Sequence, residues 1–140
     1  MKAKEYLSQL RFLNGKINSL LERRQRYKDL ATRCTPSYGG MPGGGGKKSG
    51  MDDLVGRIVE MEHEMMCRVD ELHTLTSEIE AVIDNVPDKR YREILRMRYL
   101  NEWSWVRIAT ELELSEDWVK HAHGFALLQV VLPDYVSKGA

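Results

Sequence analysis

Residues 103–123 read Trp-Ser-Trp-Val-Arg-Ile-Ala-Thr-Glu-Leu-Glu-Leu-Ser-Glu-Asp-Trp-Val-Lys-His-Ala-His. Ser104 stands where a helix N-cap is wanted, and Trp105, Ile108, Ala109 and Leu112 then fall on one helical face. Glu113-Leu114 is a turn, and Ser115 caps a second helix that buries Val119, Ala122 and Ala126 and runs to about Val131 before Pro133 stops it. Ala109 is small enough to let two helices approach closely. Two short serine-capped helices joined by a tight turn form the helix-turn-helix pattern.

On the second helix Glu116, Asp117, Lys120, His121 and Gly124 face away from the buried positions. A recognition helix presents its first turns to base edges, and here those turns open with two acids. Acids suit the positive end of the helix dipole, which is one reading of Glu116 and Asp117. The other is that a carboxylate accepts a hydrogen bond from the N4 amino group of cytosine. Acids also repel flanking phosphates, so DNA binding requires compensating cations. Lys89, Arg90, Arg92, Arg96, Arg98 and Arg107 are the candidates for phosphate contact, and Glu116, Asp117, Lys120 and His121 are those for base reading. All three tryptophans lie within residues 103–118, where we expect them to pack a compact unit rather than stack on bases.

Upstream, Asn85-Val86-Pro87 marks a break, and a helix is expected from Pro87 to Leu100, with Tyr91, Ile94, Leu95, Met97, Tyr99 and Leu100 as its apolar positions. Before that break, Tyr6, Leu10, Leu13, Ile17, Leu20, Arg24, Tyr27 and Ala31 follow one another at alternating steps of four and three. So do Met51, Leu54, Ile58, Met61, Met65, Arg68, Leu72, Leu75, Ile79 and Val82. Each is a coiled-coil seam, and each helix would be about 45–50 Å long. Residues 1–35 carry nine basic and three acidic side chains, net +6; residues 51–86 carry two and ten, net −8. The two helices are therefore expected to attract as an antiparallel hairpin whose seam edges invite a second copy.

Residues 35–50, with four consecutive glycines followed by Lys47-Lys48-Ser49, superficially suggest a phosphate-binding loop. The spacing fails, because Met41 occupies the first glycine position and a helix, not a strand, precedes the run. A flexible connector is the better reading. The expected fold class is all-α: a long antiparallel hairpin over 1–86 with its linker at 35–50, a three-helix helix-turn-helix module over 87–132, and a tail at 133–140.

The overall charge is balanced, 21 basic against 21 acidic side chains, which gives no global pull toward nucleic acid or membrane. No apolar run approaches a membrane span and the amino terminus lacks a signal-peptide pattern, so a cytoplasmic protein is expected. Cys34 and Cys67 make no disulfide framework and are expected as buried thiols. His63 and Cys67 are four apart, half a metal site without a third ligand. His121 and His123 point to nearly opposite sides of their helix, and His123 is expected in the core. No metal, cofactor or catalytic cluster is expected, and an enzyme is not the reading.

Residues 95–109, with Leu112, Leu114, Ser115 and Val119, resemble the region 4 helix-turn-helix of bacterial sigma factors. The whole chain is similar to small phage and prophage proteins known as sigma-like or ArpU-type transcriptional regulators. The matching features are Met41-Pro42-Gly43-Gly44 in the linker and Ser115, Val119, His123-Gly124, Ala126 and Leu127 in the last helix. The resemblance implies a sequence-specific regulator of phage or prophage genes in a bacterial host that binds double-stranded DNA, and not an enzyme. The acids at the start of the last helix predict weak binding by a monomer, and so reliance on a homodimer through the amino-terminal helices or on a partner such as RNA polymerase. Glu102 stands where the resemblance expects glycine, and Asp117 where relatives carry arginine. The competing reading is a phage assembly or packaging adaptor that uses its helices to oligomerise.

Overall fold

The computed structural model describes residues 1–34 and 48–138. Among these, all regular structure is helical: α1 (Ala3–Leu7), α2 (Gln9–Cys34), α3 (Lys48–Asp84), α4 (Lys89–Leu95) continued by a π-helical turn (Arg96–Leu100), α5 (Trp105–Leu112), α6 (Glu116–Leu128) and α7 (Asp134–Lys138). The expected all-α class is therefore the observed one. No helix among the described residues is long and apolar enough to cross a membrane. The phosphate-loop question and the Met-Pro-Gly-Gly match fall on residues outside the described ones, while Lys48, Ser49 and Gly50, expected in the linker, already belong to α3.

The chain packs as two units, Asn14–Glu71 on one hand and Met1–Leu13 with Leu72–Ala140 on the other. These units are drawn differently from the expected segments, because the first turns of the chain and the end of α3 share a core with the carboxy-terminal helices.

Within the Asn14–Glu71 unit, Leu20, Met61 and Met65 are buried, as the seams require. Ile17 and Leu21 share a groove with Met65, Met66 and Val69. Arg24 and Lys28 both reach Glu62, at 3.8 and 3.6 Å, which sets basic α2 against acidic α3. These pairs are solvent-exposed and worth at most about 1 kcal/mol each, so the buried seam carries the pairing. Cys67, expected to be buried, is exposed, because it lies off the α3 seam.

In the other unit, Tyr6, Leu7, Leu10, Ile79, Ile83, Val86, Leu95, Tyr99 and Ala126 form one buried cluster. Tyr6 and Tyr135 each donate a 2.7 Å hydrogen bond to Oε2 of Glu78, which ties α1 and α7 to α3. The expected tail at 133–140 is thus partly helical: the Val136 N–H donates to the Pro133 carbonyl at 3.0 Å, and Val136 joins the core. Burial beside the Glu78 carboxylate pushes the Tyr6 hydroxyl far above its ordinary range.

The third expected helix starts later than Pro87. Asp88 is its N-cap, accepting from the Arg90 N–H at 2.8 Å and the Tyr91 N–H at 3.3 Å. It also ends differently. The Asn101 N–H donates to the Arg96 carbonyl five residues back, and the Trp103 N–H to Met97, each at 3.0 Å. Glu102 closes this wide turn at φ 57°. That is the left-handed region glycine enters without steric cost, which explains why glycine is expected at this position.

Candidate nucleic-acid interface

Ser104 and Ser115 do cap α5 and α6, accepting from the Arg107 N–H at 3.2 Å and the Trp118 N–H at 3.1 Å. Between the helices, Glu113 adopts φ 56°, its N–H donating to Thr110 at 3.3 Å while Leu114 N–H donates to Ala109 at 3.0 Å. This bond pair is the Schellman ending, and Leu114 packs into the cluster containing Ala109. A non-glycine residue there costs about 1–2 kcal/mol of backbone strain. Glu113→Gly is therefore expected to raise unfolding stability by about 1 kcal/mol, net of glycine's own entropy cost. Urea melts of the two proteins check this, and an unchanged or lower midpoint counts against the strained turn.

Ile94 from α4, Ile108 and Ala109 from α5, and Val119 and Ala122 from α6 are buried together, with Trp103 and Trp105 packed against them. Trp118 differs from the expectation of a packed tryptophan, remaining 36% exposed on α6. Burial of Val119, Ala122, His123 and Ala126 leaves Asp117, Lys120, His121 and Gly124 on the solvent face. Glu116 is half-buried there, and Lys120 Nζ pairs with its Oε1 at 3.1 Å. His121 Nδ1 lies 3.2 Å from the Asp117 carbonyl. The four base-reading candidates are thus brought onto the first turns of one helix, with an acid-base pair among them. Further along, Phe125 and Leu128 are exposed at 56% and 81%.

The six phosphate-contact candidates are not equivalent. Lys89 is exposed at the start of α4, and Arg90 stacks 5.2 Å from the Trp118 ring, which sets a cation beside the acidic first turn of α6. Arg107 is exposed and lies 4.0 Å over Trp103. Arg96 pairs with Asp84 and Glu93, so its charge is compensated within the fold. Arg98 donates from Nη1 to the Trp103 carbonyl at 3.0 Å and stacks 4.2 Å over Trp105. Arg92 is partly buried, its Nε without a hydrogen-bond partner among the described residues. Lys89, Arg90 and Arg107 are therefore the exposed members of the set.

His123 is buried, as expected, and sits among aromatic side chains. Its Nε2 lies 2.7 Å from the Tyr99 hydroxyl, and the Trp105 ring meets it edge-on at 4.7 Å. Burial, then the nearby Arg98 and Lys4 charges, pushes His123 from 6.5 down to about 4. Burial likewise lifts the Tyr99 hydroxyl up to about 12. A neutral imidazole packed between aromatic rings stabilises the fold and is not free to touch a ligand on the solvent face of α6.

Residues 34–126 match the family described as a protein of unknown function, DUF1492. The chain belongs to the DUF1492 family. The family match takes in α3 to the third turn of α6 and leaves α1 and nearly all of α2 outside. No curated protein and no solved structure matches the chain. Among the described residues of this DUF1492 member, no group of three or more metal-ligating side chains converges.

Proposed function

We propose that this DUF1492 protein is a sequence-specific DNA-binding regulator of phage or prophage genes, acting in the bacterial cytoplasm, with α6 as the helix that enters the major groove. The carrying observation is the α5–turn–α6 unit, whose core residues leave Asp117, Lys120 and His121 exposed on the first turns of α6 while Arg90 is held beside them by Trp118. In this reading Lys120 and His121, with Glu116 and Asp117, contact base edges, and Lys89, Arg90 and Arg107 contact the phosphate backbone. Arg96 contributes less than the sequence suggests because Asp84 and Glu93 compensate its charge within the fold. The protein binds rather than catalyses.

The acids on α6 weaken binding by a single copy, so a homodimer or a partner such as RNA polymerase completes the affinity. Two surfaces support this. Val55, Val59, Met66 and Val69 are exposed along α3 at helical spacing, next to the buried seam. With α2 basic and α3 acidic, a second copy set against this face with its α2 on the first copy's α3 is electrostatically matched. The exposed Phe125 and Leu128 offer a separate apolar patch for the polymerase. The same α3 stripe favours the second reading, an assembly or packaging adaptor built by helix association.

Replacing Lys120 and His121 together with Ala is expected to weaken binding to the preferred duplex by roughly tenfold to a hundredfold, while affinity for random DNA falls much less. Fluorescence anisotropy on both duplexes makes the comparison. Equal affinity and unchanged preference would remove α6 as the reader.

A further inference from the structure

A cavity of about 150 Å³ opens in the unit formed by Met1–Leu13 and Leu72–Ala140, with Lys4 and Ser8 from the amino-terminal turns, Arg11 from α2, and Arg98, Glu102 and His123 among its walls. Cavities of this size accept a molecule as large as benzene, so a tetrahedral oxyanion fits. Its charge is lopsided. Three cations, Lys4, Arg11 and Arg98, line it with one carboxylate, Glu102.

Arg98 is the fixed element. Its bond to the Trp103 carbonyl and its stack on Trp105 hold the guanidinium plane, leaving further N–H donors in a set geometry. A preoriented guanidinium fork matches an oxyanion better than a mobile ammonium does. Lys4 and Arg11 are exposed and line the same cavity from the amino-terminal helices. Like charges gathered around a partly enclosed space repel one another, and an anion removes that cost.

We propose that this cavity is a binding site for a phosphate-class oxyanion, held by Arg98 with Lys4 and Arg11, and independent of whether α6 reads DNA. The shared chemistry is the tetrahedral oxyanion, supplied either as a free phosphate or as a backbone phosphate of a duplex. Burial is the main reason His123 resists protonation, and Arg98 and Lys4 beside the cavity disfavour it further. The groups facing His123 are Arg98, Tyr99, Trp105, Glu102 and the amino-terminal cations Lys4 and Arg11. An anion on the cations lowers the local positive potential, so binding raises the His123 titration point.

The test is a titration of the full chain with inorganic phosphate at constant ionic strength, following the His123 ring protons by NMR. A saturable response with the His123 pKa rising by about one unit is expected, with no such response to chloride. Lys4→Gln and Arg11→Gln, both at exposed positions, should each weaken phosphate by roughly threefold to tenfold, and Glu102→Gln should tighten it by a similar factor. Arg98→Gln should abolish it, but the two exposed-site variants decide the matter because Arg98 also braces the fold. Competition by a DNA duplex would assign the site to a backbone phosphate, and simultaneous binding would assign it to a free anion. A linear, non-saturating response, or saturation unchanged in Lys4→Gln and Arg11→Gln, would overturn the proposal.

Discussion

Acidification from pH 7 to pH 4.5 is expected to cost this protein about 2–3 kcal/mol through His123 alone. The folded imidazole is held neutral down to about 4 by burial and by Arg98 and Lys4, whereas the unfolded chain takes up the proton below about 6.5. The depressed folded value means the contribution is fully present above 6.5 and is lost as pH falls through the window from 6.5 to about 4. Carboxylates add their own dependence toward the acid end. His123→Gln keeps a neutral hydrogen-bonding partner for Tyr99 and removes the titration, so its stability should be lower at pH 7 but nearly flat between pH 6.5 and 5. Urea melts of both proteins across that range compare the slopes, and parallel slopes would show that His123 is not held neutral.

Truncation of Ile108 to Ala is expected to cost about 3–4 kcal/mol, within the range found for emptying a fully buried aliphatic site. Ile108 has no exposed surface, and it packs with Ile94, Val119 and Ala122 where α4, α5 and α6 meet. Val106→Ala, two residues away on the same helix but 61% exposed, should change stability by less than about 0.5 kcal/mol. Since single domains are stable by only about 5–15 kcal/mol, the first change removes a large share and should also abolish duplex binding by freeing α6 from its platform. Tryptophan fluorescence reports directly on this region, because all three tryptophans lie within residues 103–118. A loss under about 1 kcal/mol would mean that α5 and α6 do not share this core.

Local signals were legible in the sequence. Apolar periodicity located the long helices, the serines located the caps of α5 and α6, and the opposite placement of His121 and His123 sent the second into the core. Features that depend on distant partners were not. Arg96 looks like a free cation until Asp84 of α3 is placed against it. Residues 133–140 look like a tail because nothing nearby announces that Tyr135 will bond Glu78, 57 residues away. The π-helical turn is invisible to apolar spacing, since one extra residue per turn leaves Tyr99 and Leu100 looking like ordinary helix. The glycine expected at Glu102 was a legible signal, and its meaning became clear only with the left-handed φ. Lys4 and Arg11 read as part of a basic helix, and only the packing of the first turns with α6 places them near Arg98.

In the proposed function α6 reads base sequence. Selection of bound duplexes from a random DNA pool, run with the full chain at a low and a near-physiological salt concentration, tests it most directly. Phosphate contacts weaken steeply with salt and carry no sequence information, whereas base contacts set which sequences survive. One motif is expected to be enriched at low salt and retained at the higher, and lost when Lys120 and His121 are both replaced by Ala. Binding without enrichment at either salt, or the same motif from the double variant, would contradict it.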